Sequence, residues 1–67
     1  MPRISLEAAR VNANLTQKEL AKILGVSNNT VNGWENGRGE PSLSQLRKIS
    51  ELSGISMDFI YVPEKSN

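Results

Sequence analysis

Two short helix patterns joined by a glycine turn, within residues 16–38, constrain the fold of this chain more than any other feature. Thr16 and Glu19 are spaced as a capping box, in which each side chain accepts a hydrogen bond from the other residue's backbone N–H. Gly25 ends the first pattern, because the turn needs a residue that adopts the left-handed conformation without a Cβ penalty. Ser27 then caps a second helix. The stretch therefore predicts a helix, a tight turn and another helix.

The two predicted helices differ in how they are anchored. The first has a broad apolar face that we expect to be buried, formed by Leu20, Ala21, Ile23 and Leu24. The second has only two large apolar residues, Val31 and Trp34, which are three apart and so lie on one face. Its other positions include Asn28, Asn29 and Asn32. One narrow seam and a surface of amides favour a helix that presents hydrogen-bonding groups to the outside.

A helix, a glycine turn and a polar second helix are typical of helix-turn-helix DNA-binding units. The chain resembles the lambda/434 repressor and Cro family of bacterial and phage regulators, also called the xenobiotic-response-element family. The resemblance covers roughly residues 6–60 and rests on TQKELA at 16–21, GVS at 25–27, Val31 and WENG at 34–37. It implies an all-α, compact five-helix bundle that contains the helix-turn-helix. The simpler alternative is a plain helical hairpin in a small bundle.

Further helices are predicted on both sides of this unit. Ser5 is expected to cap a first helix that continues to about Ala13, and Asn14 to adopt the left-handed conformation where that helix turns. A fourth helix begins at a capping box formed by Ser42 and Gln45. Its buried stripe is expected to comprise Leu43, Leu46, Ile49 and Leu52.

A fifth, short helix is expected from Met57 to about Tyr61, before Pro63 ends it.

A chain of 67 residues has room for one domain with a small core. The expected parts are an N-terminal arm at residues 1–4, a helix-turn-helix domain at 5–62 with the motif at about 16–36, and a polar tail at 63–67.

The composition excludes several classes of function. The chain has no cysteine and no histidine, which argues against zinc fingers, disulfide scaffolds, thiol catalysis and imidazole bases. Its seven carboxylates are scattered, so we expect no enzymatic activity, metal ion or cofactor. No apolar run approaches the roughly 18 residues of a membrane span. With the resemblance, which implies a bacterial or phage regulator, we expect a cytoplasmic protein of a bacterial cell, associated with the nucleoid when bound to DNA.

The charge distribution favours the first half of the chain for nucleic-acid binding. The net charge is only +1, but residues 1–39 hold five basic and three acidic residues, whereas residues 40–67 hold three basic and four acidic residues. The positive half is the half that contains the helix-turn-helix, as expected for a surface that faces phosphates.

The resemblance implies contacts to DNA phosphates at the start of the second helix and in the loop after the third. Helix N-termini suit phosphates because unpaired N–H groups and the helix dipole point there. For each residue the alternative is capping or simple exposure to solvent. The predicted phosphate contacts are Thr16, Gln17, Ser27, Thr30, Asn36 and Arg38.

Base contacts are predicted for Asn28, Asn29 and Asn32, because an asparagine can bond the N6 and N7 atoms of adenine together. This favours half-sites that contain A·T pairs. The alternative is a merely soluble helix face, a role that Glu and Lys usually fill. Gly33 departs from the family pattern, in which many relatives carry a long base-contacting side chain there. It could permit close backbone approach to DNA or a water-mediated contact.

The resemblance also pairs Arg10 with Glu35. Arg10 falls on the inward stripe of the first helix with Leu6 and Ala13, where an unpaired charge would be costly. We therefore expect a structural ion pair, the alternative being that both side chains are exposed.

The apolar cluster near the C-terminus predicts an interface. Met57, Phe59 and residues 60–62 are too apolar for one short helix to bury alone. We expect Ile60, Tyr61 and Val62 to join two copies into a homodimer on a two-fold DNA operator. The same cluster could instead face a protein partner, so an antitoxin or adaptor module is the alternative to a DNA-binding regulator.

Overall fold

The computed structural model describes residues 3–64, in which four α-helices surround a small core and two very short strands join the ends of the domain. Residues 1–2 of the expected arm and residues 65–67 of the expected tail lie outside this range. None of the described helices is long and apolar enough to cross a membrane. The elements are β1 (Ile4–Ser5), α1 (Leu6–Asn12), α2 (Gln17–Leu24), α3 (Asn28–Glu35), α4 (Leu43–Ser53), a 3₁₀ turn (Met57–Phe59) and β2 (Ile60–Tyr61).

Each of the four helices begins at a hydroxyl side chain, as the sequence predicts. Both predicted capping boxes are confirmed: the Thr16 hydroxyl accepts from the Glu19 N–H at 3.0 Å, and the Glu19 carboxylate accepts from the Thr16 N–H at 2.8 Å. Ser42 and Gln45 repeat this arrangement at the start of α4. Caps of this kind stabilise a helix by about 1 kcal/mol each, which matters in a domain this small.

Left-handed residues follow three of the helices, and two of them, Asn14 and Gly25, are predicted from the sequence. Gly25 after α2 has φ 73° and Gly54 after α4 has φ 74°. Asn14, which follows α1, has φ 61° and is the non-glycine residue with positive φ among those described. The turn between α2 and α3 therefore contains three residues, with Val26 packed against the core.

The expected fifth helix is wrong. Residues after Ser56 form only a 3₁₀ turn, and the chain then extends so that Ile60 and Tyr61 pair in parallel with Ile4 and Ser5. β-Branched and aromatic residues favour this extended conformation, and the pairing satisfies backbone groups at both ends of the domain. Ile4 accordingly belongs to a strand and not to a free arm.

The core is formed by eight residues from all four helices and from β2. Two residues expected in buried stripes are exposed instead, namely Ile23 (45%) and Leu43 (62%). Ile23 lies about 100° around the helix from the centre of the face that α2 buries, and Leu43 is the first residue of α4. The buried hydrophobic residues of the core are Leu6, Ala9, Leu20, Ala21, Val31, Trp34, Ile49 and Ile60.

Candidate nucleic-acid interface

The exposed face of α3 is defined by how that helix packs on its opposite side. Val31 and Trp34 are buried, and the small Ala21 of α2 is buried with them in the same core. The Ser27 hydroxyl accepts from the Thr30 N–H at 3.1 Å and caps the helix. Asn28 and Asn29 are exposed in its first turn. Their amides are therefore presented to solvent at the end of the helix where helix-turn-helix proteins contact bases.

Asn32 is placed differently from the other two asparagines. It is half-buried, and its Oδ1 accepts from Arg38 Nη2 at 2.9 Å. On the other side its Nδ2 lies 3.5 Å from Gln17 Oε1, a long hydrogen bond. Both ends of this amide are thus oriented by neighbouring side chains. The sequence pattern does not reveal this arrangement, because it depends on the path of the loop after α3.

Arg10 and Glu35 form the expected ion pair behind α3. Arg10 Nε donates to Glu35 Oε2 at 2.7 Å and Nη2 donates to Oε1 at 3.1 Å, while the two side chains are 11% and 3% exposed. Arg10 Nη1 also donates to the Leu15 carbonyl oxygen at 2.8 Å. The hydrogen bond to Glu35 raises the pKa of Arg10, burial opposes this shift, and the charges of Glu35 and Glu7 add to it.

Two of the predicted phosphate-contacting amides have partners within the chain. Gln17 Nε2 donates to Glu35 Oε1 at 2.9 Å, which makes Gln17 a third member of the buried cluster. Asn36 Nδ2 donates to the Asn32 carbonyl oxygen at 2.8 Å and so closes the end of α3. Neither contact is among the sequence-based predictions. The spacing of Asn32 and Asn36, four apart at the end of a helix, does indicate a side-chain hydrogen bond to the backbone carbonyl of Asn32.

The predicted phosphate-contacting hydroxyls lie at helix starts. Thr16 and Ser27 are the exposed caps of α2 and α3. The Thr30 hydroxyl lies 2.8 Å from the Ser27 hydroxyl, so the two share one hydrogen bond. Arg38, the remaining predicted contact, is exposed in the loop after α3 and leans over that helix toward Asn32.

Gly33 is buried by the loop that follows α3. The Arg38 N–H donates to the Gly33 carbonyl oxygen at 2.7 Å. A Cβ at position 33 would lie 3.1 Å from the Arg38 carbonyl oxygen and 3.7 Å from the Arg38 Cβ. Neither close backbone approach to DNA nor a water-mediated contact explains this burial. The loop closes against the helix through a Schellman motif in which Gly37 has φ 80°, and the absence of a Cβ at position 33 avoids a tight contact with the Arg38 carbonyl oxygen.

The predicted dimer interface is wrong in one residue. Ile60 is 7% exposed and packs in the core of its own chain, so it cannot cover a second copy. Val62 is half-buried against the same core. Tyr61 is exposed, and the guanidinium carbon of Arg3 lies 5.1 Å from the centre of its ring. Of the three residues, Tyr61 offers the largest free surface.

The matches to known proteins agree with this geometry. A family model described as helix-turn-helix matches residues 6–60. An uncharacterized HTH-type transcriptional regulator of Methanocaldococcus jannaschii is 43% identical over 51 residues, which cover 76% of this chain and 77% of that protein. The HTH-type transcriptional activator BcrR of Enterococcus faecalis is 38% identical over 53 residues, which cover 79% of this chain and 26% of BcrR. The regulator ImmR of Bacillus subtilis is 36% identical over 55 residues, 82% of this chain and 43% of ImmR.

The fold and the exposed amide-bearing face of α3 define a helix-turn-helix protein. The chain belongs to the helix-turn-helix family of the lambda repressor and Cro type, a family of DNA-binding transcriptional regulators. It spans less than half the length of BcrR and of ImmR. No solved structure is significantly similar to it.

Proposed function

We propose that this chain binds double-stranded DNA sequence-specifically, with α3 in the major groove, as a bacterial or phage transcriptional regulator. The observation that carries the proposal is the pair of exposed amides, Asn28 and Asn29, at the start of a helix whose opposite face is buried through Val31 and Trp34. Amides contribute little to helix stability, so a surface built from them is better explained by recognition than by solubility. Asn28 and Asn29 are the proposed base contacts, and adenine is the base that their donor and acceptor fit.

The phosphate contacts that we propose flank this helix. Thr16, Ser27 and Thr30 lie at the starts of α2 and α3, where backbone N–H groups and the helix dipoles attract anions. Gln17 and Asn36 each use one amide N–H inside the protein and keep a second N–H for a phosphate. These contacts would fix the position of α3 on the duplex without specifying a sequence.

We further propose that two copies bind one two-fold operator. A single eight-residue helix contacts few base pairs, so two half-sites about 34 Å apart would supply the affinity and specificity that one lacks. The exposed Tyr61, with the half-buried Val62 beside it, is the proposed contact between copies. Such a protein would act in the bacterial cytoplasm and would be associated with the nucleoid when bound to DNA. A footprint covering one half-site at full affinity would contradict the dimer.

The test of base recognition compares alanine variants on two kinds of DNA. Asn28→Ala and Asn29→Ala should each weaken binding to a selected operator by about 1–3 kcal/mol and change binding to random-sequence duplex little. The slope of log affinity against log salt should stay constant, because an amide displaces no counterion. Fluorescence anisotropy at a series of salt concentrations measures both quantities.

Asn12→Ala is the matched control, because it removes an exposed asparagine amide from α1, outside the helix-turn-helix. It should leave both DNA affinities unchanged. The variant also loses the hydrogen bond from Asn12 to the Ser53 carbonyl oxygen, and a melting curve measures the effect of that loss on stability. Equal weakening of operator and random DNA by the Asn28 and Asn29 variants would mean that α3 does not contact bases. No DNA binding by the wild-type chain would reject the regulator and leave the antitoxin or adaptor alternative.

A further inference from the structure

The contact between the loop after α3 and Gly33 brings a cation onto the recognition helix. The chain after α3 forms a Schellman motif, in which Gly37 has φ 80° and the Arg38 N–H donates to the Gly33 carbonyl oxygen at 2.7 Å. The Arg38 side chain then reaches Asn32, where its Nη2 donates to Oδ1 at 2.9 Å. The Arg38 side chain is thereby held over α3 beside Asn32.

The polarity of the Asn32 amide is dictated from both sides. A guanidinium has donors and no acceptor, so the atom that faces Arg38 must be the Asn32 oxygen. On the other side, the Glu35 carboxylate only accepts, so the Gln17 nitrogen faces it at 2.9 Å. The Gln17 oxygen is then directed to the Asn32 nitrogen at 3.5 Å. Both neighbours therefore impose the same amide orientation on Asn32.

This arrangement occupies one of the two lone pairs of the acceptor that adenine recognition requires. An asparagine binds adenine by donating to N7 and accepting from the N6 amino group. The Asn32 oxygen already accepts from Arg38, so the free groups of the pair are mainly donors, namely one N–H of Asn32 and the remaining N–H groups of the exposed Arg38 guanidinium. Guanine is the base whose major-groove edge consists of two acceptors, O6 and N7.

We propose that Arg38 and Asn32 form a single base-recognition unit that offers mainly donors and selects guanine. This inference rests on the proposed binding of α3 in the major groove, and it deepens that function by assigning one position of each half-site to a G·C pair. It also replaces the sequence-based expectation that Arg38 contacts phosphate and that Asn32 contacts adenine.

The test is the selection of binding sites from a random duplex library with the wild type and with two variants. The wild type should select guanine at one position of each half-site. Arg38→Ala should change the preference at that position to adenine, because the guanidinium donors that favour guanine are lost and the Asn32 amide alone then fits N6 and N7 of adenine. Asn32→Ala should lose the guanine preference without gaining adenine. At all other positions the three proteins should select the same bases.

Affinity measurements on defined duplexes give the size of the effect. Replacing the selected guanine by adenine should weaken wild-type binding by about 5- to 150-fold, and replacing it by 7-deazaguanine should weaken binding in the same direction through loss of N7. Arg47→Ala is the control, since it removes an exposed arginine from α4. It should leave the selected site unchanged.

Two results would overturn the inference, and they differ from each other. If Arg38→Ala weakens binding to every sequence equally and the selected site is unchanged, Arg38 contacts phosphate only and the proposed function stands. If the wild type selects no sequence, the proposed function fails as well. Circular dichroism of Arg38→Ala, whose substituted side chain is exposed, should show an unchanged fold.

Discussion

Replacing Arg10 by methionine tests how much the buried ion pair contributes to stability. The change would leave the Glu35 carboxylate, which is 3% exposed, with Gln17 Nε2 as its side-chain donor in place of three N–H groups. It would also remove the donor that satisfies the Leu15 carbonyl oxygen. A buried charge that loses its partner keeps its desolvation cost, so the loss exceeds the net value of the pair itself.

The expected loss is about 3 kcal/mol for Arg10→Met, and of similar size for Glu35→Gln, which leaves a buried guanidinium facing a neutral amide. The double variant has neither uncompensated charge. It should therefore lose about 3 kcal/mol as well, and not the roughly 6 kcal/mol of independent changes, so that the coupling free energy is about 3 kcal/mol.

Urea unfolding followed by circular dichroism measures each corner of this cycle. A domain of this size has only about 3–5 kcal/mol of stability, so the single variants are close to unfolding. All four proteins should be compared in the same concentration of a stabilising osmolyte, which raises stability without changing the interactions compared.

Glu7→Gln is the internal control. Glu7 lies 4.0 Å from Arg10 Nη2, but its side chain is 62% exposed, and exposed pairs contribute less than about 1 kcal/mol. Removing its charge should therefore lower stability far less than Glu35→Gln does. If the Arg10 and Glu35 losses add to within about 0.5 kcal/mol, the two residues do not act as a buried pair and the reasoning is refuted.

Two local changes give further expectations. Asn14→Gly should leave the melting temperature unchanged or raise it, because glycine adopts φ 61° without the strain that asparagine bears; a clear fall would assign a role to the Asn14 side chain. The Thr16 backbone and hydroxyl hydrogen bonds lower the pKa of Glu19 below its usual 4.5. The capping box should therefore stabilise the domain fully above about pH 5 and lose that stabilisation as the pH falls through the lowered pKa. Glu19→Gln should show a shallower decline of melting temperature between about pH 5 and pH 3, and parallel declines would contradict this.

Features that depend on residues close in the chain could be predicted from the sequence. The capping boxes at Thr16 and Ser42 involve residues three apart, so their side chains meet in any helix that starts there. Left-handed Asn14 and Gly25 are specified by conformational preference alone. The exposure of Asn29 likewise follows from helix geometry, because a residue two positions before the buried Val31 lies on the opposite side of α3.

Features that depend on distant segments could not be predicted in this way. Ile60 and Tyr61 form a strand because Ile4 and Ser5 lie beside them, and no local pattern near residue 60 contains that information. The apolar pattern of these residues fits a helix as well as a strand, so the prediction of a fifth helix was wrong. Gly33 is similar: its burial depends on where the loop after α3 goes, which the helix pattern does not specify.

The stability of this domain and its recognition surface use one connected set of polar groups. Glu35, held by Arg10, orients Gln17, and Gln17 with Arg38 orients Asn32. Asn28 and Asn29 stand outside this set, exposed in the first turn of α3. A substitution at either of them would change a proposed base contact alone, whereas a change at Gln17 or Glu35 alters the amide that Asn32 presents as well as the fold behind it. New base preferences are therefore more accessible through the first turn of α3 than through its second.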